Sequence, residues 1–210
     1  MNTPTKITVS RIIAIAVMII SLFVLYVIGQ VDKTFSIPNI GDSGINWVYF
    51  ILFIFFVLAS FTDYLDGHLA RKNNQVTNLG KFLDPVADKL LINSMIIFLI
   101  VPASYAPTQM SFSLWCAILL IARDIVVDAL RFIAAQKGVV IAANIFGKMK
   151  TVLQMIAVSL VLLNGWPFIY FDKDWAVRIA DIFIYLATFT SVMSGIIYVI
   201  QNRAALKENK

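Results

Sequence analysis

The sequence predicts an all-α integral membrane protein with six transmembrane helices and both termini in the cytoplasm. Hydrophobic residues make up 60% of the chain and charged residues 14%. The core of a single 210-residue soluble domain is too small to bury so much apolar surface. The hydrophobic residues fall in separate runs, and the basic residues cluster between alternate runs. These three observations favour a chain whose solvent is lipid.

Six apolar runs predict the six helices in chain order. They cover residues 12–28, 47–62, 90–101, 112–122, 152–163 and 182–200. The long runs can cross a hydrocarbon core of about 30 Å alone, whereas the short ones need polar residues from their flanks. Buried helices of a soluble protein are the alternative for the short runs, which the long runs near both ends disfavour. The first run follows basic residues as a signal peptide would, but its length predicts a retained helix.

The distribution of basic residues predicts the orientation. If the chain crosses six times, one side receives most of them: Lys6, Arg11, Arg71, Lys72, Lys81, Lys89, Lys137, Lys148, Lys150, Arg203, Lys207 and Lys210. The opposite loops hold Lys33, Lys173 and Arg178. The positive-inside rule therefore places both termini in the cytoplasm. The net charge of +5 then reflects topology and contact with anionic lipid headgroups, so nucleic-acid binding is not needed to explain it.

The chain is predicted to form one domain over residues 1–210. It contains no long linker, low-complexity stretch or detectable internal repeat. Its single cysteine, Cys116, excludes an intrachain disulfide framework. The expected location is the cell membrane, as a multi-pass protein.

Four aspartates interrupt the apolar pattern between the second and third runs. Asp63 and Asp66 are three residues apart and Asp84 and Asp88 four apart, so each pair shares one helix face. A carboxylate at the centre of a membrane helix costs about 2.5 to 3.5 kcal/mol on insertion scales. A hairpin of the two helices would bring the four together, where unpaired anions repel one another. One or two bound divalent cations would remove that repulsion.

A solvated cytoplasmic face is the alternative for these aspartates. Basic residues that would pair with them lie nearby in the sequence: Arg71, Lys72, Lys81 and Lys89. Two glycines favour a ligand site instead, because Gly67 follows Asp66 and Gly80 precedes Asp84 by four residues. Both helices therefore lack bulk beside the carboxylates, although glycines also serve close helix packing.

The residue types indicate the chemistry of this region. Carboxylates without a histidine or cysteine cluster favour Mg²⁺, Mn²⁺ or Ca²⁺ over Zn²⁺ or Cu²⁺. Two such ions between carboxylates typically serve phosphoryl transfer, and Arg71 supplies a planar donor that suits phosphate. A cation transporter is a second class of function, but it would place carboxylates near the midplane with access from both sides.

The spacing resembles the signature of the CDP-alcohol phosphotransferase family. All eight fixed positions are present at the family spacing: Asp63, Asp66, Gly67, Ala70, Arg71, Gly80, Asp84 and Asp88. The predicted six-helix topology is similar to that of the family over essentially the whole chain. The resemblance implies a bacterial cytoplasmic-membrane enzyme that uses two Mg²⁺ or Mn²⁺ ions, has its active site facing the cytoplasm and forms a homodimer.

The resemblance also implies roles for individual residues. Asp63 and Asp84 would bridge the two metal ions, Asp66 would complete one metal site and Asp88 the other, and Asp88 would act as general base on the acceptor hydroxyl. The residues implied in binding the CDP part of the donor are Thr8, Gly67, Ala70, Arg71, Thr77 and Gly80. Where the family commonly has Pro-Asn-x-x-Thr, the chain has Thr8 in the last position and Thr5 in place of the asparagine.

Residues 80–89, 123–131 and 147–151, together with Gln154, are similar to the phosphatidylglycerophosphate synthases within that family. That branch transfers phosphatidyl from CDP-diacylglycerol to sn-glycerol 3-phosphate and releases CMP, so these two substrates are expected. The signature reads the shared nucleotide diphosphate. Inositol phosphate, serine or phosphatidylglycerol therefore remain alternative acceptors, and a CDP-aminoalcohol remains an alternative donor.

Basic residues near the fourth and fifth runs predict where an acceptor phosphate binds. Arg123 and Arg131 are eight residues apart and share a helix face, and Arg123 lies inside the predicted span. Such a guanidinium favours a wet cavity. Lys148 and Lys150 begin the next helix from the same side, so the four are predicted to converge on a phosphorylated acceptor. For Arg123 and Arg131, ion pairing with Asp124 and Asp128 in the same helix is the alternative.

Overall fold

The structure, a computed structural model, describes residues 3–72, 78–101, 103–106, 108–136 and 144–201. Within helices and turns, the side chains of residues 3–5, 42, 64–72, 78–82 and 173 fall outside that description. The described part contains six α-helices: α1 Thr3–Val31, α2 Trp47–Lys72, α3 Asn78–Ile100, α4 Leu114–Gln136, α5 Ile145–Leu162 and α6 Lys173–Gln201. Short 3₁₀ turns at Gly41–Ser43 and Phe168–Tyr170 lie in the connections before α2 and α6. The all-helical prediction is confirmed for these residues.

Three stretches in the described part are long and apolar enough to cross a membrane: Lys6–Val31, Ile145–Leu162 and Asp174–Gln201. In α2 the apolar stretch, Trp47–Asp63, is shorter. Each of α3 and α4 has an apolar half and a charged half, and the two charged halves adjoin, as the ion pair between Lys89 and Asp128 shows. The number of membrane crossings therefore stays a prediction.

The outer surface of the bundle is apolar on several helices. The aromatic side chains of Phe23, Phe132 and Phe189 and the aliphatic side chains of Ile13 and Ile125 are between 59% and 66% exposed. In water such exposure would be costly, at about 25 cal/mol per Å² of apolar surface. Their positions on α1, α4 and α6 are those expected of lipid-facing residues.

The helices form two groups. Helix α6 packs most extensively against α5 and then α4, while α1 packs against α3 and α2. Fewer contacts join the groups, through α2 with α5 and through α3 with α4 and α5. The N-terminal group, α1–α3, and the C-terminal group, α4–α6, therefore face each other across a seam. The polar site lies along this seam.

Helices α1 and α3 run in the same direction. Near their first turns Thr8 donates to Asp84 at 2.8 Å, and just past the end of α3 Ser104 donates to the carbonyl of Gly29 at 2.9 Å. A Cβ at Gly29 would come within 2.4 Å of the Ser104 hydroxyl, so a larger residue there would displace that hydroxyl. The α1–α3 pair is thereby fixed at both ends.

Pro85 lies inside α3, as its eighth residue. Its ring removes the N–H that would bond to the carbonyl of Lys81. A proline is tolerated in the first turns of a helix or at a kink. The helix begins at Asn78 and continues through Pro85, so Asp84 and Asp88 are carried by one uninterrupted helix.

Candidate active site

A polar cavity of about 850 Å³ opens between the N-terminal and C-terminal groups of helices. Its first wall is formed by α2 and α3 and includes Asp63, Asp84 and Asp88. Its second wall is formed by α4 and α5, with side chains from α6. All four residues predicted to bind an acceptor phosphate lie on the second wall: Arg123, Arg131, Lys148 and Lys150. Two residue sets that were predicted independently therefore share one cavity.

The aspartates of the first wall are held by α1. The Thr8 hydroxyl donates to Asp84 Oδ1 at 2.8 Å, and Thr8 is 2% exposed. Arg11 donates from Nη1 to Asp63 Oδ1 in an ion pair. These carboxylates belong to α2 and α3. Helix α1, which carries none of the eight signature positions, therefore holds one aspartate on each of those two helices. Thr8 was predicted as a nucleotide contact, and its described contact is with a predicted metal ligand.

Arg11 is the most deeply buried cation at this wall. Its side chain is 4% exposed, and that of Asp63 is 31% exposed. Within the described part of the chain its Nε and Nη2 atoms are buried without hydrogen-bond partners. A guanidinium in a membrane protein is stable only beside an anion or water, so Asp63 and Arg11 depend on each other. Sequence reasoning assigned Arg11 to topology alone and missed this contact.

The carboxylates fit a hard divalent cation by their chemistry, because Asp63, Asp84 and Asp88 bring oxygen donors to one cavity. Among the described side chains no group of three histidine, cysteine or acidic residues is close enough to hold a metal ion. The fourth predicted ligand, Asp66, has its side chain outside the described set. The Arg11 guanidinium, meanwhile, supplies positive charge to Asp63.

On the second wall, Arg123 is held by α6. Its Nε donates to the Ser191 carbonyl at 3.1 Å and its Nη2 to the Ser194 hydroxyl at 2.6 Å. A Cβ at Gly195 would lie 3.1 Å from Arg123 Cγ, so the glycine provides the space for the arginine stem. The guanidinium is therefore fixed in position at the cavity, with 15% of its side chain exposed.

Asp124 joins two of the predicted phosphate-binding cations. Its carboxylate accepts from Lys150 Nζ at 2.6 and 2.7 Å and from Arg123 Nη1 at 3.1 Å. Lys150 and Asp124 are 8% and 7% exposed. The predicted alternative, ion pairing of Arg123 and Arg131 within their own helix, thus describes the contact of Arg123 with Asp124, whereas Lys150 reaches Asp124 from another helix. Asp128 pairs instead with Lys89 of α3, across the seam.

The positive charges of Arg131 and Lys148 are less fully neutralised than those of Arg123 and Lys150, which share Asp124. Arg131 donates from Nε to the Tyr198 hydroxyl at 2.8 Å, and its guanidinium lies 5.3 Å from the centre of the Tyr198 ring. Lys148 is exposed in the cavity and forms no ion pair within the described residues. A phosphate entering the cavity therefore meets Lys148 and Arg131 as the cations without a carboxylate partner in the described structure.

The two walls carry opposite charge. The described residues of the α2–α3 wall include three aspartates and one lysine, which gives a formal charge of −2. The described residues of the α4–α5 wall include four basic residues and two aspartates, which gives +2. Such a cavity suits a cation at one wall and an anion at the other.

Asn144 ties the start of α5 to α6 beside the second wall. Its Oδ1 caps α5 by accepting from the Gly147 amide at 2.7 Å and also accepts from the Ser194 hydroxyl at 2.7 Å. Its Nδ2 donates to the Ser194 carbonyl at 3.2 Å. Because Ser194 also accepts from Arg123, the chain Arg123, Ser194, Asn144 positions both the arginine and the helix turn that carries Lys148. Asn144 directly before the apolar residues Ile145 and Phe146 was a readable cap signal.

For the remaining predicted site residues, the structure describes at most the position of the backbone. Asp66, Gly67, Ala70 and Arg71 lie on the last turns of α2, and Gly80 lies in the first turn of α3. Their side-chain positions lie outside the description, and Thr77 lies outside the described residues altogether. The backbone places these positions beside the two aspartate pairs, and their roles stay predictions.

The sequence matches known proteins along nearly its whole length. The model of a family described as CDP-alcohol phosphatidyltransferase matches residues 1–193. A Bacillus subtilis relative, a CDP-diacylglycerol–glycerol-3-phosphate 3-phosphatidyltransferase, is 40% identical over 206 residues, which cover 98% of this chain and 97% of the relative. Relatives of the same name are 32% identical in Rickettsia bellii, over 94% of this chain and 93% of the relative, and 38% identical in Mycoplasma pneumoniae, over 72% and 66%. This chain belongs to the CDP-alcohol phosphatidyltransferase family.

Proposed function

We propose that the protein transfers the phosphatidyl group of CDP-diacylglycerol to the free primary hydroxyl of sn-glycerol 3-phosphate and releases CMP. It is then a CDP-diacylglycerol–glycerol-3-phosphate 3-phosphatidyltransferase of phospholipid biosynthesis, the activity named for its relatives. The observation that carries the proposal is the polar cavity with an aspartate wall and a cationic wall. The aspartate wall suits the diphosphate of the donor with its metal ions, and the cationic wall suits a phosphorylated acceptor.

The chemistry belongs to the aspartate wall. The acceptor hydroxyl attacks the phosphorus that carries the diacylglycerol, an oxygen–phosphorus bond forms, and the bond from that phosphorus to the CMP oxygen breaks. Asp88, which is exposed to the cavity, takes the hydroxyl proton as general base. When bound between Asp63, Asp66, Asp84 and Asp88, two Mg²⁺ or Mn²⁺ ions supply charge neutralisation to the diphosphate and the leaving group. Thr8 and Arg11 hold the carboxylates of Asp84 and Asp63 in place for this role.

The donor nucleotide lies, in this proposal, against the ends of α2 and α3. Gly67, Ala70 and Gly80 leave room beside the aspartates, and Arg71 and Thr77 donate to the CDP part. The guanidinium of Arg71 forms two parallel hydrogen bonds to phosphate oxygens more readily than an ammonium does.

The acceptor phosphate lies against the second wall. Lys148 and Arg131 bind it directly, because neither has a carboxylate partner among the described residues. Arg123 contributes from a fixed position, and Lys150 contributes positive charge while bound to Asp124. Binding of the phosphate at the second wall then orients the acceptor hydroxyl toward Asp88 on the first wall. The reacting groups are thereby held in position for the transfer.

The membrane arrangement that we propose has six crossings, with both termini and the cavity at the cytoplasmic side. The polar halves of α3 and α4 then lie near the interface, where a water-soluble acceptor and CMP exchange while the acyl chains stay in the bilayer. Residues 1–210 form one membrane domain in this arrangement. Cysteines introduced at Lys6 and Lys33 test it, because only the first should react with an impermeant thiol reagent from the cytoplasmic side.

The function is tested with purified protein, labelled CDP-diacylglycerol and a panel of acceptors. Glycerol 3-phosphate should release CMP, and EDTA should stop the release until Mg²⁺ or Mn²⁺ is restored. Preferred use of inositol phosphate, serine or phosphatidylglycerol would move the protein to another branch of the family. Retention of full activity in EDTA would contradict the metal mechanism. The predicted homodimer is checked separately, by the mass of the protein in detergent.

A further inference from the structure

The polar cavity extends past its charged walls to an uncharged floor. Ser60 precedes Asp63 by three residues on α2, and Gln154 follows Lys150 by four on α5, so both lie about 5 to 6 Å further into the bundle than those charged groups. We define the floor by six of the residues that line the cavity: Phe56, Ser60, Leu91, Ile92, Gln154 and Met155. Its two polar side chains are neutral.

Gln154 brings a buried amide to this floor. The residue lines the cavity and is 1% exposed, and its Nε2 has no hydrogen-bond partner within the described residues. Lys150, one turn earlier on the same face of α5, is also buried, but its ammonium is bound to Asp124. Buried polar groups in native proteins are normally satisfied, because an unmade hydrogen bond leaves the cost of desolvation uncompensated. The amide of Gln154 therefore indicates the position of a ligand.

Ser60 shows the same feature on α2. Serine and threonine hydroxyls within helices commonly donate to a carbonyl of their own helix, as Thr62 does to Ala59 and Thr151 to Gly147. The Oγ of Ser60 is buried and makes no such bond in the described structure. Each of the two groups of helices thus brings one unsatisfied neutral group to the floor.

The acceptor of the proposed reaction has one polar group that the two walls leave unassigned. The proposed function assigns the phosphate of sn-glycerol 3-phosphate to Lys148 and Arg131 and its primary hydroxyl to Asp88, so the central carbon lies between the walls. The hydroxyl on that carbon is neutral and can both donate and accept, which suits an amide or another hydroxyl. With both ends of the molecule fixed, exchange of hydrogen and hydroxyl at the central carbon gives the mirror-image acceptor. A contact to this hydroxyl therefore distinguishes the two enantiomers.

We propose that Gln154 binds the secondary hydroxyl of the acceptor, with Ser60 as a second contact, and thereby selects sn-glycerol 3-phosphate. The inference rests on the proposed function and deepens it, because it names the residues that recognise the neutral part of the acceptor. Phe56 and Leu91 beside them are each 3% exposed and apolar, so they offer the amide no other side-chain partner. An acceptor that lacks the hydroxyl, or presents it away from the floor, leaves the amide unpaired, and a site of this kind rejects such analogues.

The test measures kcat/KM for three acceptors with the full-length protein and labelled CDP-diacylglycerol in detergent micelles. The acceptors are sn-glycerol 3-phosphate, its enantiomer sn-glycerol 1-phosphate, and 3-hydroxypropyl phosphate, which has no secondary hydroxyl. The unmodified protein should prefer the first to each of the others by on the order of a hundredfold. Gln154→Met keeps the volume of the side chain and removes the amide, so both preferences should fall below about tenfold. The value for 3-hydroxypropyl phosphate itself should stay nearly unchanged.

Thr151→Val is the matched control, because it removes a hydroxyl from the same helix and cavity that is bonded to the carbonyl of Gly147. Both preferences should keep their original values in this variant. Ser60→Ala should lower both preferences by a smaller factor, and it tests the floor with Gln154 in place. Equal use of sn-glycerol 3-phosphate and 3-hydroxypropyl phosphate by the unmodified protein, or unchanged preferences in Gln154→Met, would overturn the inference while the proposed function stands. Absence of CMP release with sn-glycerol 3-phosphate itself would overturn the proposed function and the inference together.

Discussion

The charged side chains on the two walls of the polar cavity differ in the partners that hold them. On the α2–α3 wall, Asp63 and Asp84 are held by residues of another helix, Arg11 and Thr8, and the wall keeps an excess of negative charge. On the α4–α5 wall, Asp124 already neutralises much of Arg123 and Lys150. Each wall keeps two formal charges, negative on the first and positive on the second, but only the first carries the groups of the proposed chemistry. We expect losses at the first wall to be larger than losses at the second.

The largest expected effect is the loss of the Asp84 carboxylate, and Asp128 in the same cavity provides the comparison. Asp84→Asn should lower kcat by on the order of a hundredfold to a thousandfold, the loss typical of removing one preorganised electrostatic group. Asp128→Asn, on the opposite wall, removes only the partner of Lys89 and should cost far less. CMP release at saturating substrates measures both. Equal losses in the two variants would remove the distinction between the walls.

The pairing of Arg11 with Asp63 predicts a stability effect that depends on metal. Arg11→Met should lower the stability of metal-free protein by about 1 to 3 kcal/mol, because it leaves a partly buried carboxylate unpaired. Mg²⁺ should restore most of the loss by binding the folded state. Thermal unfolding with and without Mg²⁺ measures it, with Lys6→Met, exposed on the same helix, as control. A loss that Mg²⁺ leaves unchanged would show that Arg11 has only a packing role.

Two lysines of the second wall sharpen the comparison, because they are two residues apart and differ in pairing. Lys148→Gln should raise KM for glycerol 3-phosphate by on the order of tenfold, the loss of one charge-assisted hydrogen bond, and leave the donor KM unchanged. Lys150→Gln removes a buried partner of Asp124 and should mainly lower thermal stability. Initial rates over a matrix of both substrates separate the cases. The assignment fails if Lys150→Gln changes the acceptor KM more than Lys148→Gln does.

The smallest expected effect concerns the hydroxyl that positions Arg123. Ser194→Ala should raise the acceptor KM by about fivefold, since one hydrogen bond to the guanidinium and one to Asn144 are lost. Thr190→Val is the matched control on α6, because its hydroxyl bonds only to carbonyls of its own helix. A fall in kcat without a change in the acceptor KM would show that Ser194 stabilises the folded protein and does not contribute to acceptor binding.

The part of the site that sequence predicted is the part carried by local spacing. Intervals of three and four residues place Asp63 with Asp66 and Asp84 with Asp88 on single helix faces, and that regularity is independent of tertiary structure. The fold was predicted in the same way, because apolar runs report helices directly. Sequence also indicated that Arg123 and Lys148 approach the same side of the membrane, since topology alone fixes that.

The part that sequence missed depends on contacts between distant helices. Arg11 and Asp63 are 52 residues apart, Asn144 and Ser194 are 50 apart, and Lys150 and Asp124 are 26 apart. No periodicity relates such positions, so Arg11 was interpreted through topology and Lys150 as a phosphate ligand rather than as a partner of Asp124. Which side chain of a cationic cluster is already paired becomes visible only when the helices are packed.

The most direct test of the division between the walls compares glycerol 3-phosphate with glycerol as acceptor in the unmodified protein. The two molecules present the same hydroxyl to the aspartate wall and differ in the phosphate that the cationic wall is proposed to bind. We expect kcat/KM for glycerol 3-phosphate to exceed that for glycerol by at least about a thousandfold, because a site built for a polar group strongly rejects an analogue that lacks it. Comparable values of kcat/KM would contradict the account and leave the cations of the second wall as structural ion pairs.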